Sequence, residues 1–455
     1  MKNNQLELGQ EPIGKLLLKY SVPAIIGMMV NSLYNVVDRI FIGNMQGVGS
    51  MAIAGLGVTM PISTILLAFG MLVGVGSTTN ISIKLGQGKK EEAQDIIGSG
   101  MVLSVIIGVL LTVIGILFSN QILSMFGASE STLYYAKSYT DIIMLGAVFN
   151  ILAMFFNNII RGDGSPRLSA TIMAVGCLTN IVLDAVLIFG FNFGIQGAAL
   201  ATIISQAVTA IWGLSYYLRK KSNLEFRKET LKLKSSAIKS IFAIGISPFA
   251  MQIAASMVQV ISNHSLRIYG GDLAIGAMAT ISSISLLFLM PSFGINQGMQ
   301  PIVGFNYGAK KYDRAVKTLK ICLLASTTIF IIGFLLIQSV PEVLVGMFNK
   351  DTELMGITVS GLKKYTLTMP LLGVAIIGTN YVQSTGKAKL SMLLSLLRQC
   401  LFLIPLIMVL PKFLELDGVW FAQPVADTLS ILITLLVLVK EIKSYPKVEK
   451  VSEIA

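Results

Sequence analysis

TIMAVGCLTNIVLDAVLIFG, residues 171–190, is long enough to cross a bilayer as one helix, yet it carries Asp184 well inside and contains no basic residue. At helical spacing Met173, Cys177, Asn180 and Asp184 share one stripe, while Val175, Ile181, Val182 and Ala185 cover the rest of the surface. A charge near the bilayer centre costs about 2.5–3.5 kcal/mol on insertion scales, so the stripe must face protein or water, and an acid there marks a functional site by default. The competing reading is an acid that only ties two helices together through hydrogen bonds.

The rest of the chain supplies the context for that helix. Of its 455 residues 54% are hydrophobic and only 13% charged, with a mean hydropathy of +0.76, far too apolar for a soluble protein of this length. Runs of about 20 apolar residues recur without the period-2 alternation of an outer-membrane barrel, so the fold class is an all-α polytopic membrane protein. The polar start, MKNNQLELGQEPIGK, has neither an apolar leader core nor a small-residue cleavage site, and insertion is expected to begin with the first spanning helix. Cys177, Cys322 and Cys400 sit singly in apolar segments and read as packing residues.

Apolar segments lie near residues 16–43, 51–79, 96–118, 132–160, 168–190, 195–218, 240–266, 273–303, 318–338, 355–382, 390–410 and 417–439, which gives twelve transmembrane helices. The net charge of +12 gathers in alternate connections: Lys84, Lys89 and Lys90; Arg161 and Arg167; residues 219–239; Lys310, Lys311, Arg314 and Lys317; Lys387 and Lys389; and the C-terminal tail. In a soluble protein this charge would suggest nucleic acid. Here it is a topology signal, and it predicts no nucleic-acid partner and both termini in the cytoplasm. The expected organisation is an N-terminal six-helix lobe over 1–218, a basic cytoplasmic linker over 219–239, and a C-terminal six-helix lobe with its tail over 240–455.

The two halves repeat each other. Gly86 and Gly308, Ala93 and Ala315, Met125 and Met347, Gly164 and Gly386, and Leu168 and Leu390 all stand 222 residues apart. An even number of helices per half makes the repeats parallel, about an axis along the membrane normal. Prolines 23, 61, 248, 291, 301, 370, 405 and 424 fall inside expected helices, where each removes a backbone hydrogen bond and favours a kink. After Pro23 the same face carries Gly27, Asn31, Tyr34, Asn35 and then a second acid, Asp38.

VVDRIFIG (36–43), AIAGLG (52–57), LGQGKKEEA (85–93) with its counterpart YGAKKYDRA (307–315), and RGDGSPR (161–167) with STGKAK (384–389) together resemble the multidrug and toxic compound extrusion (MATE) family. The likeness covers nearly the whole chain, from about residue 14 to 440, and within the family the chain resembles the DinF-like branch. That resemblance implies a MATE-like fold of two parallel six-helix repeats and a coupling-ion network of Asp38, Asn157, Asn180, Asp184 and Thr202. The NorM-like branch places acids on the seventh and tenth helices, but residues 240–266 and 355–382 contain no Asp or Glu.

The other polar residues each allow a functional and a plainer reading. One histidine, His264, lacks the further ligands a metal site needs, so no metal centre is expected apart from Na⁺ at the coupling site. Asp427, near Gln423, could titrate or be neutralised by Arg398, and buried ions usually pair. Lys363 and Lys364 read as snorkelling to the interface. Met28, Asn31, Tyr34, Asn35, Met154 and Met173 make a candidate substrate surface, with ordinary packing the alternative for each.

These readings converge on secondary active efflux of lipophilic, often cationic drugs from the plasma membrane by a monomer, with H⁺ or Na⁺ as coupling ion and no other cofactor. Burial disfavours a carboxylate's charged form, so Asp184 and Asp38 are suited to take up and release a proton. The driving force suffices, since about 100 mV is worth about 2.3 kcal/mol per charge, or about a fifty-fold gradient. A flippase for a lipid-linked pyrophosphate or other amphipathic metabolite is the alternative, but it calls for a basic cavity where this chain shows acids. An enzyme is not expected, because no His/Glu metal motif, Ser–Lys or Ser–His pair or P-loop is present.

Overall fold

The computed structural model describes residues 4–43, 49–126, 128, 130–219, 222, 224, 230–347 and 352–446. The first half comprises α1 (Asn4–Gln10), α2 (Ile13–Gly43), α3 (Gly49–Gly86), α4 (Lys90–Leu117), α5 (Ser119–Met125), α6 (Glu130–Leu145), α7 (Ala147–Gly162), α8 (Pro166–Asp184) and α9 (Gly194–Leu218). The second comprises α10 (Ser235–Gly308), α11 (Tyr312–Ser339), α12 (Pro341–Gly346), α13 (Thr352–Tyr365), α14 (Leu372–Ser384), α15 (Ala388–Leu396), α16 (Ile404–Val409) and α17 (Pro411–Lys443). α10 is two spans, because Gly271 breaks it with φ 65° and ψ −164°. Among the described residues nine helices are long and apolar enough to cross a membrane, and the pairs α6–α7 and α13–α14, bent by 56° and 42°, bring the number to eleven. With the long α17, each of the twelve expected segments has its helix.

The repeat is visible in the backbone as well as in the residues. Four helices end at the basic side in the same way. The second residue after the helix takes a left-handed conformation, at Gly88 (φ 75°), Gly164 (φ 96°), Lys310 (φ 59°) and Gly386 (φ 84°), and 88/310 and 164/386 are again 222 apart. In each the next N–H returns to the carbonyl five residues back: Lys89 to Lys84 at 2.9 Å, Ser165 to Ile160 at 3.1 Å, Lys311 to Asn306 at 2.8 Å and Lys387 to Val382 at 3.3 Å. This is the Schellman closure, which favours glycine because a side chain at positive φ is strained. Lys310 accepts that strain where its counterpart is Gly88.

The two halves meet closely from this basic side inward, along about 20 Å of α3 between Gly86 and Leu72. An added Cβ would lie 2.4 Å from the Ile241 carbonyl oxygen at Gly76, 2.0 Å from that of Phe305 at Gly86, 1.9 Å from that of Leu72 at Gly245 and 2.2 Å from that of Ile83 at Gly308. Only glycine allows α3 to touch both arms of α10 backbone to backbone. Asn80 Nδ2 donates to the Ser240 carbonyl at 2.8 Å and Gln300 Nε2 to Thr79 Oγ1 at 2.6 Å, and the Phe69 and Phe249 rings meet edge to face at 5.0 Å. Small residues and side-chain hydrogen bonds are what hold membrane helices together, since lipid provides no hydrophobic drive between them.

The polar N-terminus has structure that hydropathy did not reveal. Leu8 of α1 is buried, and its carbonyl accepts from Asn306 Nδ2 at 2.9 Å and Arg314 Nη2 at 3.1 Å, so the chain's beginning is clasped to its second half. Residues 219–239 are also partly fixed: Leu224 is buried, Ser222 Oγ donates to Asp163 Oδ2 at 2.6 Å, and the helix has already begun at Ser235.

Candidate functional site

α8 folds as its periodicity requires. Cys177, Asn180 and Asp184 are buried while Leu178 and Val182 are exposed, so one face packs into the first half and the other meets lipid. Asp184 ends the α-helical part and is followed at once by a π-helical turn, Ala185–Gly190, a wider geometry often found at functional sites.

Asp184 is wholly buried, and its surroundings are polar but uncharged apart from a second acid. Asn180, one turn earlier, donates from its amide nitrogen to Asp184 Oδ2 at 3.1 Å and accepts at its oxygen from the Thr202 N–H at 3.3 Å, the amide orientation being fixed by these partners. Thr202 Oγ1 donates to the Ala198 carbonyl at 3.0 Å, and Ser205 Oγ to that of Thr202 at 2.8 Å, so α9 presents a polar seam to α8. Asp184 Oδ1 is buried without a hydrogen-bond partner among the described residues. Asp38, half-buried on α2, lies near enough for the two carboxylates to interact by charge.

Asp38, Asn180, Asp184 and Thr202 are therefore brought together, but Asn157 is not joined to them. Its Nδ2 donates to the Ser169 carbonyl at 3.0 Å and its Oδ1 accepts from Arg161 Nη2 at 3.2 Å. Ser169 stands four turns of α8 from Asp184, about 22 Å at 1.5 Å per residue, so the last turns of α7 serve a different cluster.

That cluster centres on Arg161, which the sequence placed in a basic connection. The structure buries it in the last turn of α7, where its guanidinium donates to Asn157, to Asn158 Oδ1 at 3.1 Å and to Gln297 on the second arm of α10. Gln297 in turn donates to Met28 Sδ at 3.2 Å. Three amide oxygens, and no carboxylate among the described residues, satisfy a cation that links the two halves. The spacing Asn157, Asn158, Arg161 was the available signal, since i, i+3 and i, i+4 positions share a helix face.

Among the candidate substrate residues, Met173 packs over Gly27 and Met154 over Gly70, each occupying the space a Cβ would need. The side chains of Asn31, Tyr34 and Asn35 lie outside the described residues. His264 is exposed, and among the described residues no group of three or more His, Cys, Asp and Glu side chains could hold a metal.

In the second half Asp427 is buried and paired. Arg398 Nη1 lies 3.1 Å from its Oδ1, and Gln423 Nε2 donates to both oxygens at 3.1 and 3.0 Å. Arg398 sits in the second π-helical turn, Leu397–Leu403. Removing one partner of a buried pair costs about 3–5 kcal/mol because the other charge is left uncompensated. Arg398→Gln should accordingly lower thermal stability in detergent sharply, and adding Asp427→Asn should restore most of it. Equal unfolding temperatures for the single variant and the parent would show that the pair carries no such load.

The MatE family model matches the chain twice, over residues 23–186 and 248–409, together more than half its length. The multidrug export protein MepA of Staphylococcus haemolyticus (strain JCSC1435) is 28% identical over 445 residues, covering 96% of each chain. The MATE multidrug transporter DinF-BH, solved as a ligand complex, is 37% identical over 95% of this chain and 97% of its own, with a TM-score of 0.89. An outward-facing MATE family transporter of the MOP superfamily superposes with a TM-score of 0.92 over 98% of this chain and 99% of its own, and at 22% identity it shares the fold. The doubled match falls on the two halves that the backbone repeats, and the chain belongs to the MatE family of multi-pass membrane transporters, which are not enzymes.

Proposed function

We propose that this protein is a multidrug efflux transporter that exports lipophilic, often cationic compounds in exchange for inward-moving H⁺, with Asp184 and Asp38 carrying the proton. The observation that carries this reading is the contrast between two buried acids. Asp427 has its arginine, whereas Asp184 has no ion pair among the described residues, an amide on one oxygen and no hydrogen-bond partner there on the other. A buried carboxylate in that position is costly while charged, and a proton removes the cost. Protonation therefore changes the relative free energies of states that hydrate the site differently. The names of the MepA relatives, as multidrug export proteins, and of DinF-BH, as a multidrug transporter, support a small organic substrate.

The two lobes, 1–218 and 240–455, rock about the glycine contact, with the basic side and both termini in the cytoplasm of a plasma-membrane protein. Closure there leaves the opposite side as the route of exit. Na⁺ remains the competing ion, because Asp38, Asn180, Asp184 and Thr202 offer the oxygen donors that hard cations favour.

One proteoliposome experiment tests these points together. A fluorescent organic cation is followed while a pH gradient or a Na⁺ gradient is imposed separately, and a cysteine at exposed Gly88 reports orientation through an impermeant thiol reagent. Movement should follow the pH gradient, with substrate leaving from the face opposite Gly88→Cys. Transport driven by Na⁺ alone would refute the proton assignment, and no movement under either gradient would refute coupled efflux.

A further inference from the structure

One built cleft lies apart from the two buried acids and the glycine contact. It sits at the basic side between the start of α11 and the end of α17, with a volume of about 320 Å³. Tyr312, Asp313, Lys317, Lys320, Ile442 and Tyr445 are among its lining residues. Tyr312 and Tyr445 stack with ring centroids 4.9 Å apart and an interplanar angle of 18°, and the Tyr445 hydroxyl lies 3.1 Å from that of Tyr381 on α14, so the aromatic end of the cleft is fixed from behind.

The level of the cleft identifies its surroundings. On α11 the uncharged run begins immediately after Lys320, and on α17 it ends immediately before Lys440. Both lysines therefore mark the boundary between hydrocarbon and headgroups. Just inside that boundary, one helical turn beyond Lys320 on α11 and one turn before Lys440 on α17, Leu324 and Leu436 are each 71% exposed.

The charge of the cleft is also defined. Lys317 and Lys320 are exposed and one turn apart, with no carboxylate partner among the described residues. The nearby acid Glu441 is buried and already paired with Lys387 at 2.5 Å. Asp313 at the rim offsets one of the two lysines, leaving a single positive charge. That complements a phosphodiester, with one negative charge, better than a free phosphate dianion.

We propose that this cleft is a binding site for the headgroup of an anionic phospholipid from the leaflet at the basic side. Lys317 and Lys320 hold the phosphodiester, the stacked tyrosines wall the headgroup, and the acyl chains run along Leu324 and Leu436. Basic pockets between transmembrane helices are a known mode of anionic headgroup recognition, and tyrosines favour the same level of the membrane.

The test uses the full chain in bilayers of mixed phosphatidylglycerol and phosphatidylethanolamine. Lipids that stay bound after gentle detergent extraction are counted by native mass spectrometry. Phosphatidylglycerol should be retained in preference, and Lys317→Gln/Lys320→Gln should reduce that preference about thirtyfold. A control that removes the same charge from exposed positions elsewhere at the basic side, Lys90→Gln/Lys239→Gln, should leave it intact. Equal loss in both doubles would overturn the site in favour of a diffuse surface field. Retention of phosphatidylethanolamine over phosphatidylglycerol would overturn the charge assignment. Displacement of the lipid by inorganic phosphate alone would overturn the lipid assignment and make this a free-phosphate site.

Discussion

Asp184→Asn should abolish drug efflux in cells and gradient-driven transport in proteoliposomes while the protein remains folded, inserted and monodisperse. The amide has the shape of the carboxyl group and still offers an oxygen to Asn180, so packing on α8 is kept. What it lacks is the ability to cycle between charged and neutral forms. Stability should hold or rise, since the substitution removes a buried group whose charged form lacks full compensation. The same variant separates the two readings of this acid. If resistance and coupled transport are retained, Asp184 is helix glue, and the proton must travel elsewhere. If the variant fails to insert, Asp184→Glu and the unfolding temperature of the parent against pH would still report whether the carboxyl is structural.

The second large effect is expected at the glycines. Gly86→Ala would place a methyl group 2.0 Å from the Phe305 carbonyl oxygen, and neither backbone can move without shifting a whole helix. Overpacking of this kind costs about 1–3 kcal/mol. Because that cost falls only on the state in which the halves touch, it acts on the conformational equilibrium, moving it by about five- to 150-fold away from closure at the basic side. A reporter cysteine replacing Ser82, fully buried in this contact, makes the shift visible. In a background without the native cysteines it should be inert to an impermeant thiol reagent in the parent and react in Gly86→Ala. Labelling that is the same in both would mean that the contact is not part of the transport cycle. Transport should fall as well, because a carrier that cannot close one side cannot alternate.

Much of this molecule follows from local rules that a sequence displays. Each spanning segment must satisfy its own backbone hydrogen bonds in lipid, so about 20 apolar residues specify a helix independently of their neighbours. The twelve segments, the 222-residue repeat and the buried face of α8 were all legible for that reason. Asp427 and Arg398 could be matched as well, because an intramembrane charge needs a partner and few candidates exist.

Relations between helices were another matter. Asn157 was assigned to the acid network by its likeness to a pattern, yet the rotation of α7 hands its amide to Ser169 and Arg161. Arg161 read as a loop charge, and only the approach of α10 turns it inward to Gln297. α1 is too short and polar to register as a membrane element, and its place is set by Asn306 and Arg314, about 300 residues away. Hydropathy and helical period constrain which residues lie on a face. Which face meets which neighbour, and at what height, depends on the rotation and register of helices packed through glycines and single hydrogen bonds, and those are settled only when all twelve are assembled.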